Sequence, residues 1–210
     1  MNILEEAILF ATKAHEGAKR KNSSLPYILH PCEAAAIAGT MTSDLEVLAA
    51  VVLHDVVEDT AVTIQEIEAA FGYRVASLVA AETEDKREYE SPEVTWVIRK
   101  TESIEHLRNA ENHEIQIMWL ADKLSNMRAI IRDYHFMGDE IWNTFHMRDK
   151  KQHEWYYRTI LELLSDWADY DAWKEFSFLI DAVFGQKEQL PGGSYFELSE
   201  DTGNESGTDN

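Results

Sequence analysis

The chain has 210 residues, of which 45% are hydrophobic, 28% charged and 10% aromatic; at about 150 residues per domain that is one domain or at most two. Roughly 70% of the unfolded surface of such a chain can be buried, so neither disulfides nor a structural metal are needed to fold it, and one cysteine, Cys32, excludes an internal disulfide framework and a cysteine-rich zinc module. Nineteen Lys and Arg against 39 Asp and Glu give a net charge of −20, which excludes a general nucleic-acid or anionic-membrane binder and at first sight counts against a polyanionic substrate too.

The amino terminus places Glu5 and Glu6 where an export signal carries positive charge. The longest strongly apolar run, Val47 to Leu53, falls far short of the roughly 20 residues of a membrane span. A reducing, cytoplasmic setting is expected.

Helical periodicity runs through nearly every segment, and no alternating stretch is flanked by hairpin-turn residues, so the expected fold is all-α, a single helical bundle. A first helix puts Ile3, Ala7, Phe10, Ala11 and Ala14 on one stripe and ends near the basic stretch Lys19 to Ser24. Pro26 and Pro31 bracket an extended piece. Ser43 with Glu46, and Thr63 with Glu66, fit the capping box, which bounds a helix from about Asp44 to Glu58. Gly72 separates two shorter helices, and Ser91-Pro92 opens one that reaches about Arg108. Later helices span about Glu111 to Arg132, Asp149 to Asp166 and Asp171 to Phe184. Residues 1–185 then form the domain, and 186–210 form an acidic tail without periodicity, expected to be disordered.

Residues 45–59, LEVLAAVVLHDVVED, carry His54, Asp55, Glu58 and Asp59 in an otherwise apolar helix. His54 to Glu58 and Asp55 to Asp59 are i to i+4 pairs, so the four polar groups make one patch a turn long. Burying a polar group costs about 2–7 kcal/mol unless a partner compensates, and a divalent cation is the natural partner for carboxylates. The alternative is the solvated last turn of a half-exposed helix. Asp122, in another apolar helix, and His30, in PYILHP, favour the cation: two imidazoles and two carboxylates from three elements suit manganese, iron or another octahedral ion better than a closed zinc site.

His30, the adjacent His54-Asp55 pair and the distant Asp122 resemble the metal-binding motif of the HD-domain phosphohydrolases. More specifically, AHEGAKRK, PYILHP, LHDVVEDT, VASLVAAETEDK and LADKLSNMR resemble, in order, the hydrolase domain of the stringent-response alarmone enzymes, over about residues 7 to 132. GDEIWNTFHMRDKKQHEWYY is similar to stand-alone members, the small alarmone hydrolases, and no stretch is long enough for the synthetase domain of the bifunctional ones.

That resemblance implies an all-α HD-domain fold and a manganese-dependent enzyme that removes pyrophosphate from guanosine 3′,5′-bis(diphosphate), its partner being a free guanosine polyphosphate. It implies His30, His54, Asp55 and Asp122 as metal ligands. Glu58 and Asp59 lie one turn beyond two of those ligands, within reach of an attacking water, with Glu58 the main acid/base. Arg20 and Lys21 match a family pair in which the arginine packs on the guanine and the lysine lies near phosphates; Tyr27 and Asn126 match positions near the nucleotide. Lys86, Lys150, Lys151 and Tyr156 are further candidates for phosphate or ribose contacts. The departures are Trp119, where the family often carries lysine, and the stretch between Glu82 and Trp96. Two other functions compete: an HD-type phosphatase on another nucleotide such as NADPH, and a nucleotide sensor without hydrolysis. The presence of both Glu58 and Asp59 counts against the sensor.

Overall fold

The computed structural model describes residues 1–84, 87 and 89–185. Lys86 and the segment 186–210 lie outside the described residues. The chain forms α1 (Ile3–Ala14), α2 (Leu29–Ala38), α3 (Leu45–Leu53), α4 (Val56–Asp59), α5 (Ile64–Phe71), α6 (Tyr73–Glu82), α7 (Pro92–Arg108), α8 (His113–Met137), α9 (Lys150–Leu163) and α10 (Asp171–Phe184). Short 3-10 turns occupy Gly138–Thr144 and Ser165–Trp167. No strand occurs among the described residues, and the only extended pairing there is an isolated bridge between Lys19 and Pro26.

Three local expectations need correction. Ser43 is not a cap: Asp44 caps α3, its carboxylate accepting from the Glu46 amide at 2.9 Å and adding negative charge to the helix amino terminus. The Thr63–Glu66 capping box does form. Pro31 does not close an extended piece; it lies in the first turn of α2, where a missing amide costs no intrahelical bond. The extended chain lies just before it, where Arg20 and Tyr27 bond back to Leu25 and Ala18 through their amides and Asn22 turns the chain at φ +57°. The helix expected from Asp44 to Glu58 is broken at His54 and Asp55, so α3 and α4 are separate.

The 25 residues of α8 make a rod of about 37 Å, against which α2, α3, α6, α7 and α10 pack. One continuous core runs from Ala7 on α1 to Val183 on α10. Leu53, Met118, Leu120, Leu124 and Ile180 are fully buried in it, each stabilising the fold by about 1.5–3 kcal/mol. The consequence for function is geometric: α2, the end of α3 and the middle of α8 are clamped together, and each carries one of the polar residues that the sequence places in apolar surroundings.

Candidate active site

His30 comes from the first turn of α2, His54 from the end of α3, Asp55 from the break before α4 and Asp122 from the third turn of α8. His30, His54 and Asp122 are all buried. His30 Nε2 lies 3.0 Å from Asp122 Oδ1 and 3.5 Å from Asp55 Oδ2; His54 Nε2 lies 3.0 Å from Asp55 Oδ2 and 3.5 Å from Asp122 Oδ1. Ligand atoms of His30, His54 and Asp122 fall within 4.8 Å of one another, as a shared ion requires. Burial pulls the pKa of His54 down, but the charges of Asp55 and Asp122 outweigh it and raise it well above the usual imidazole value. Against burial, the histidines hold the Asp55 carboxyl below the usual carboxylate range, and Lys123 with His54 does the same for Asp122.

A divalent ion fits this arrangement. The Nδ1 atoms are already engaged, His30 with Ser125 Oγ at 2.9 Å and His54 with the Val51 carbonyl at 2.6 Å, so both rings turn Nε2 toward the carboxylates. His54 Nε2 is buried without a well-formed hydrogen bond among the described residues. Buried imidazole nitrogens and carboxylate oxygens on one point form the mixed donor set of an octahedral ion.

Two supports hold the carboxylates. Tyr27 donates its hydroxyl to Asp55 Oδ2 at 2.5 Å, and burial together with the Asp55 and Asp59 charges pushes its pKa up, so it stays a donor. Asn126, one turn beyond Asp122, donates to Asp122 Oδ1 at 2.7 Å, while the Lys123 ammonium contacts Oδ2. Arg20 in turn donates to Asn126 Oδ1 at 3.2 Å and lies 5.7 Å from the Tyr27 ring centroid.

Arg20, Tyr27 and Asn126 border a hollow of about 420 Å³ whose lining also includes Lys19, Lys21 and Tyr157. That volume is in the range of a small-molecule site. The Lys21 ammonium sits 4.5 Å from the Phe145 ring centroid, and partial burial pulls its pKa down. Glu58 is half-buried, with the Glu84 amide 3.5 Å from its Oε2, and Asp59 is exposed at the end of α4.

Not every candidate reaches the hollow. Lys151 is exposed on the first turn of α9, and Lys150 is engaged by Asp139 at 2.9 Å and Tyr134 at 3.1 Å. Tyr156 is buried behind the site, its ring 5.0 Å from the Lys100 ammonium; its neighbour Tyr157 lines the hollow instead. On a helix, successive residues face about 100° apart, and the run Trp155-Tyr156-Tyr157 does not say which of them faces inward. Trp119 is buried with the Lys123 ammonium 4.6 Å from its ring centroid. His15 is buried against Tyr27 with no partner for Nε2 among the described residues.

The HD-domain family matches residues 7–149, so the chain belongs to that family. Among curated proteins it is similar to guanosine-3′,5′-bis(diphosphate) 3′-pyrophosphohydrolase MESH1 of Danio rerio, 37% identical over 134 residues that cover 62% of this chain and 70% of the relative. It is also similar to the bifunctional (p)ppGpp synthase/hydrolase SpoT of Escherichia coli K12, 38% identical over 133 residues, 60% of this chain but 18% of that protein. Among solved structures, a metazoan ortholog of SpoT described as hydrolysing ppGpp superposes with a TM-score of 0.71 at 24% identity, covering 89% of this chain and 98% of the other, which shows the fold. A protein of Listeria monocytogenes EGD-e superposes with a TM-score of 0.65 at 30% identity over 75% of this chain and 99% of its own.

Proposed function

We propose that the protein is a manganese-dependent guanosine-3′,5′-bis(diphosphate) 3′-pyrophosphohydrolase acting on the free nucleotide in the cytoplasm. The observation that carries this is the meeting of His30, His54, Asp55 and Asp122 behind a hollow walled by Arg20, Tyr27 and Asn126, with Tyr27 bonded to Asp55 and Asn126 to Asp122. The activity in the names of the Danio and Escherichia relatives supports the same conclusion. No described helix is long and apolar enough to cross a membrane, which is compatible with a cytoplasmic setting.

His30, His54, Asp55 and Asp122 would hold the ion; a divalent cation there supplies Lewis acidity at a phosphoryl oxygen and lowers the pKa of water towards neutrality. The remaining work falls to the chain. Arg20 offers a flat guanidinium to the guanine base, with Tyr27 behind it and Asn126 fixing its angle. Lys19 and Lys21, on the same wall, meet phosphates, and Lys86 remains a candidate for that role. Glu58 accepts a proton from the attacking water as the ester at the ribose 3′-oxygen breaks, and that oxygen gains a proton in turn; Asp59 assists. The products from the tetraphosphate are GDP and pyrophosphate.

The direct test is incubation with guanosine tetraphosphate and Mn²⁺ followed by chromatography, with GDP and pyrophosphate expected in equal amounts. Orthophosphate from NADPH with no turnover of the tetraphosphate would assign the same centre to another substrate. No product from either would remove the hydrolase reading.

A further inference from the structure

His30 is held from behind by a chain of side chains. Its Nδ1 lies 2.9 Å from Ser125 Oγ; the Ser125 hydroxyl donates to Glu33 Oε2 at 2.7 Å. Arg128 donates to the other Glu33 oxygen at 3.2 Å and grips Glu175 with two bonds of 2.7 Å each. Ser125 is fully buried, whereas Glu33, Arg128 and Glu175 lie at the surface edge.

Donor counting gives this chain a direction. A serine hydroxyl has one hydrogen, and an ionised carboxylate only accepts. The Ser125 hydrogen is therefore committed to Glu33, so its oxygen faces His30 as an acceptor and His30 Nδ1 must carry the hydrogen. The reverse assignment would set two acceptor oxygens against each other at 2.7 Å with no hydrogen between them. With Nδ1 turned to Ser125, Nε2 is the nitrogen that faces Asp122 Oδ1, 3.0 Å away, and the one that a cation between them would take as its donor.

We propose that Ser125 and Glu33 are positioning residues that lock His30 in the Nδ1–H tautomer and aim its Nε2 at the cation. The proposal rests on the reading of His30 as a metal ligand. The spacing explains why the relay fits: Glu33 follows His30 by three residues on α2 and Ser125 follows Asp122 by three on α8, so each helix presents one ligand and one support on the same face. His54 reaches the same tautomer through the Val51 carbonyl, a backbone device that substitution of a side chain leaves intact. His30 alone depends on side chains, which makes its orientation the adjustable half of the site.

The test is Mn²⁺ affinity, measured calorimetrically on metal-free wild type, Ser125→Ala, Glu33→Gln and His30→Ala, together with the ¹⁵N imidazole spectrum of the metal-free proteins. Loss of the support behind a metal-binding histidine weakens binding about 10–100-fold, and that is expected for Ser125→Ala. Glu33→Gln, which keeps the volume but lets the Ser125 hydrogen turn towards His30, is expected to weaken binding several-fold, and it carries the test should Ser125→Ala fail to fold. The His30 Nδ1 proton is expected to be visible in wild type and lost to exchange in Ser125→Ala, a change that altered packing elsewhere does not produce. If His30→Ala weakens binding while Ser125→Ala and Glu33→Gln stay within twofold of wild type, or if wild-type His30 carries its proton on Nε2 alone, the relay is wrong and the metal centre stands. If His30→Ala binds Mn²⁺ as tightly as wild type, the metal centre itself is misplaced and the relay falls with it.

Discussion

Tyr27 joins the two halves of the site, since its hydroxyl bonds Asp55 while its ring backs Arg20. Removing the hydroxyl and keeping the ring should separate the two jobs. Tyr27→Phe is expected to weaken Mn²⁺ binding about tenfold, as loss of a hydrogen bond to a metal ligand does, and to leave KM for the tetraphosphate unchanged at saturating Mn²⁺. A raised KM with normal metal affinity would mean that the hydroxyl touches substrate instead. Asp55 and Glu58 divide similarly, being three residues apart but different in surroundings: Asp55 faces two imidazoles, and Glu58 lies half-buried near the Glu84 amide. Asp55→Ala is expected to lose bound metal and turnover together. Glu58→Gln is expected to keep the metal, read by elemental analysis, while kcat falls about 10²–10⁴-fold, the usual contribution of a general acid or base. Full activity in Glu58→Gln would transfer the proton role to Asp59 or elsewhere.

The elements explain why some of this was legible in the sequence and some was not. Histidine and carboxylate in apolar helices are conspicuous because burial without a partner is so costly, and His30, His54, Asp55 and Asp122 do converge. The break between α3 and α4 was invisible because every residue from Leu45 to Asp59 is compatible with a helix; only the turn at Asp55, φ −87° and ψ −8°, carries the pair out of it. α2 was hidden by Pro31, which reads as a breaker unless the helix start is known. Glu33, Lys123 and Ser125 look like ordinary helix-surface residues, and only their spacing from His30 and Asp122 could have drawn attention. Glu82, in the last turn of α6, was also missed. Both its oxygens are buried without hydrogen bonds among the described residues, and Lys123 is 3.7 Å away. Burial pushes its pKa up to about 7 although the Lys123 charge pulls the other way. A pKa raised on folding leaves stability intact below the unfolded value near 4.5 and costs stability as pH rises through 7. At about 1.4 kcal/mol per unit, Glu82→Gln is therefore expected to match wild type at pH 4 and to be more stable by about 1–3 kcal/mol at pH 8, read from melts of metal-free protein. A variant less stable at pH 8 would show that the charged Glu82 is needed to hold Lys123.

At the scale of the whole molecule the balance of −20 looks hostile to a polyphosphate, yet the charge is not evenly spread. Lys19, Arg20 and Lys21 are consecutive on the wall of the hollow, and two of the acids, Asp55 and Asp122, are turned inward on His30. A divalent ion and a local basic run attract phosphates even where the overall field repels them, while the same field still rejects a nucleic-acid polymer. An ion held there would also bear on the fold, because the side chains proposed to hold it come from α2, α3, the turn before α4 and α8, elements that enclose the core. Anything that binds only the folded chain stabilises it by mass action, about 2.7 kcal/mol at a hundredfold excess over Kd. In metal-free protein the charges of Asp55 and Asp122 raise the His54 pKa well above its usual value against the pull of burial, so binding must expel a proton there, and binding that releases protons weakens as pH falls. The rise in melting temperature on adding Mn²⁺ is accordingly expected to be largest near pH 8 and to shrink steadily towards pH 6. The Asp122→Asn variant is expected to show little rise at any pH. A rise that does not change between pH 8 and pH 6 would mean that the ion binds without displacing the His54 proton, and therefore at a site that does not include His54.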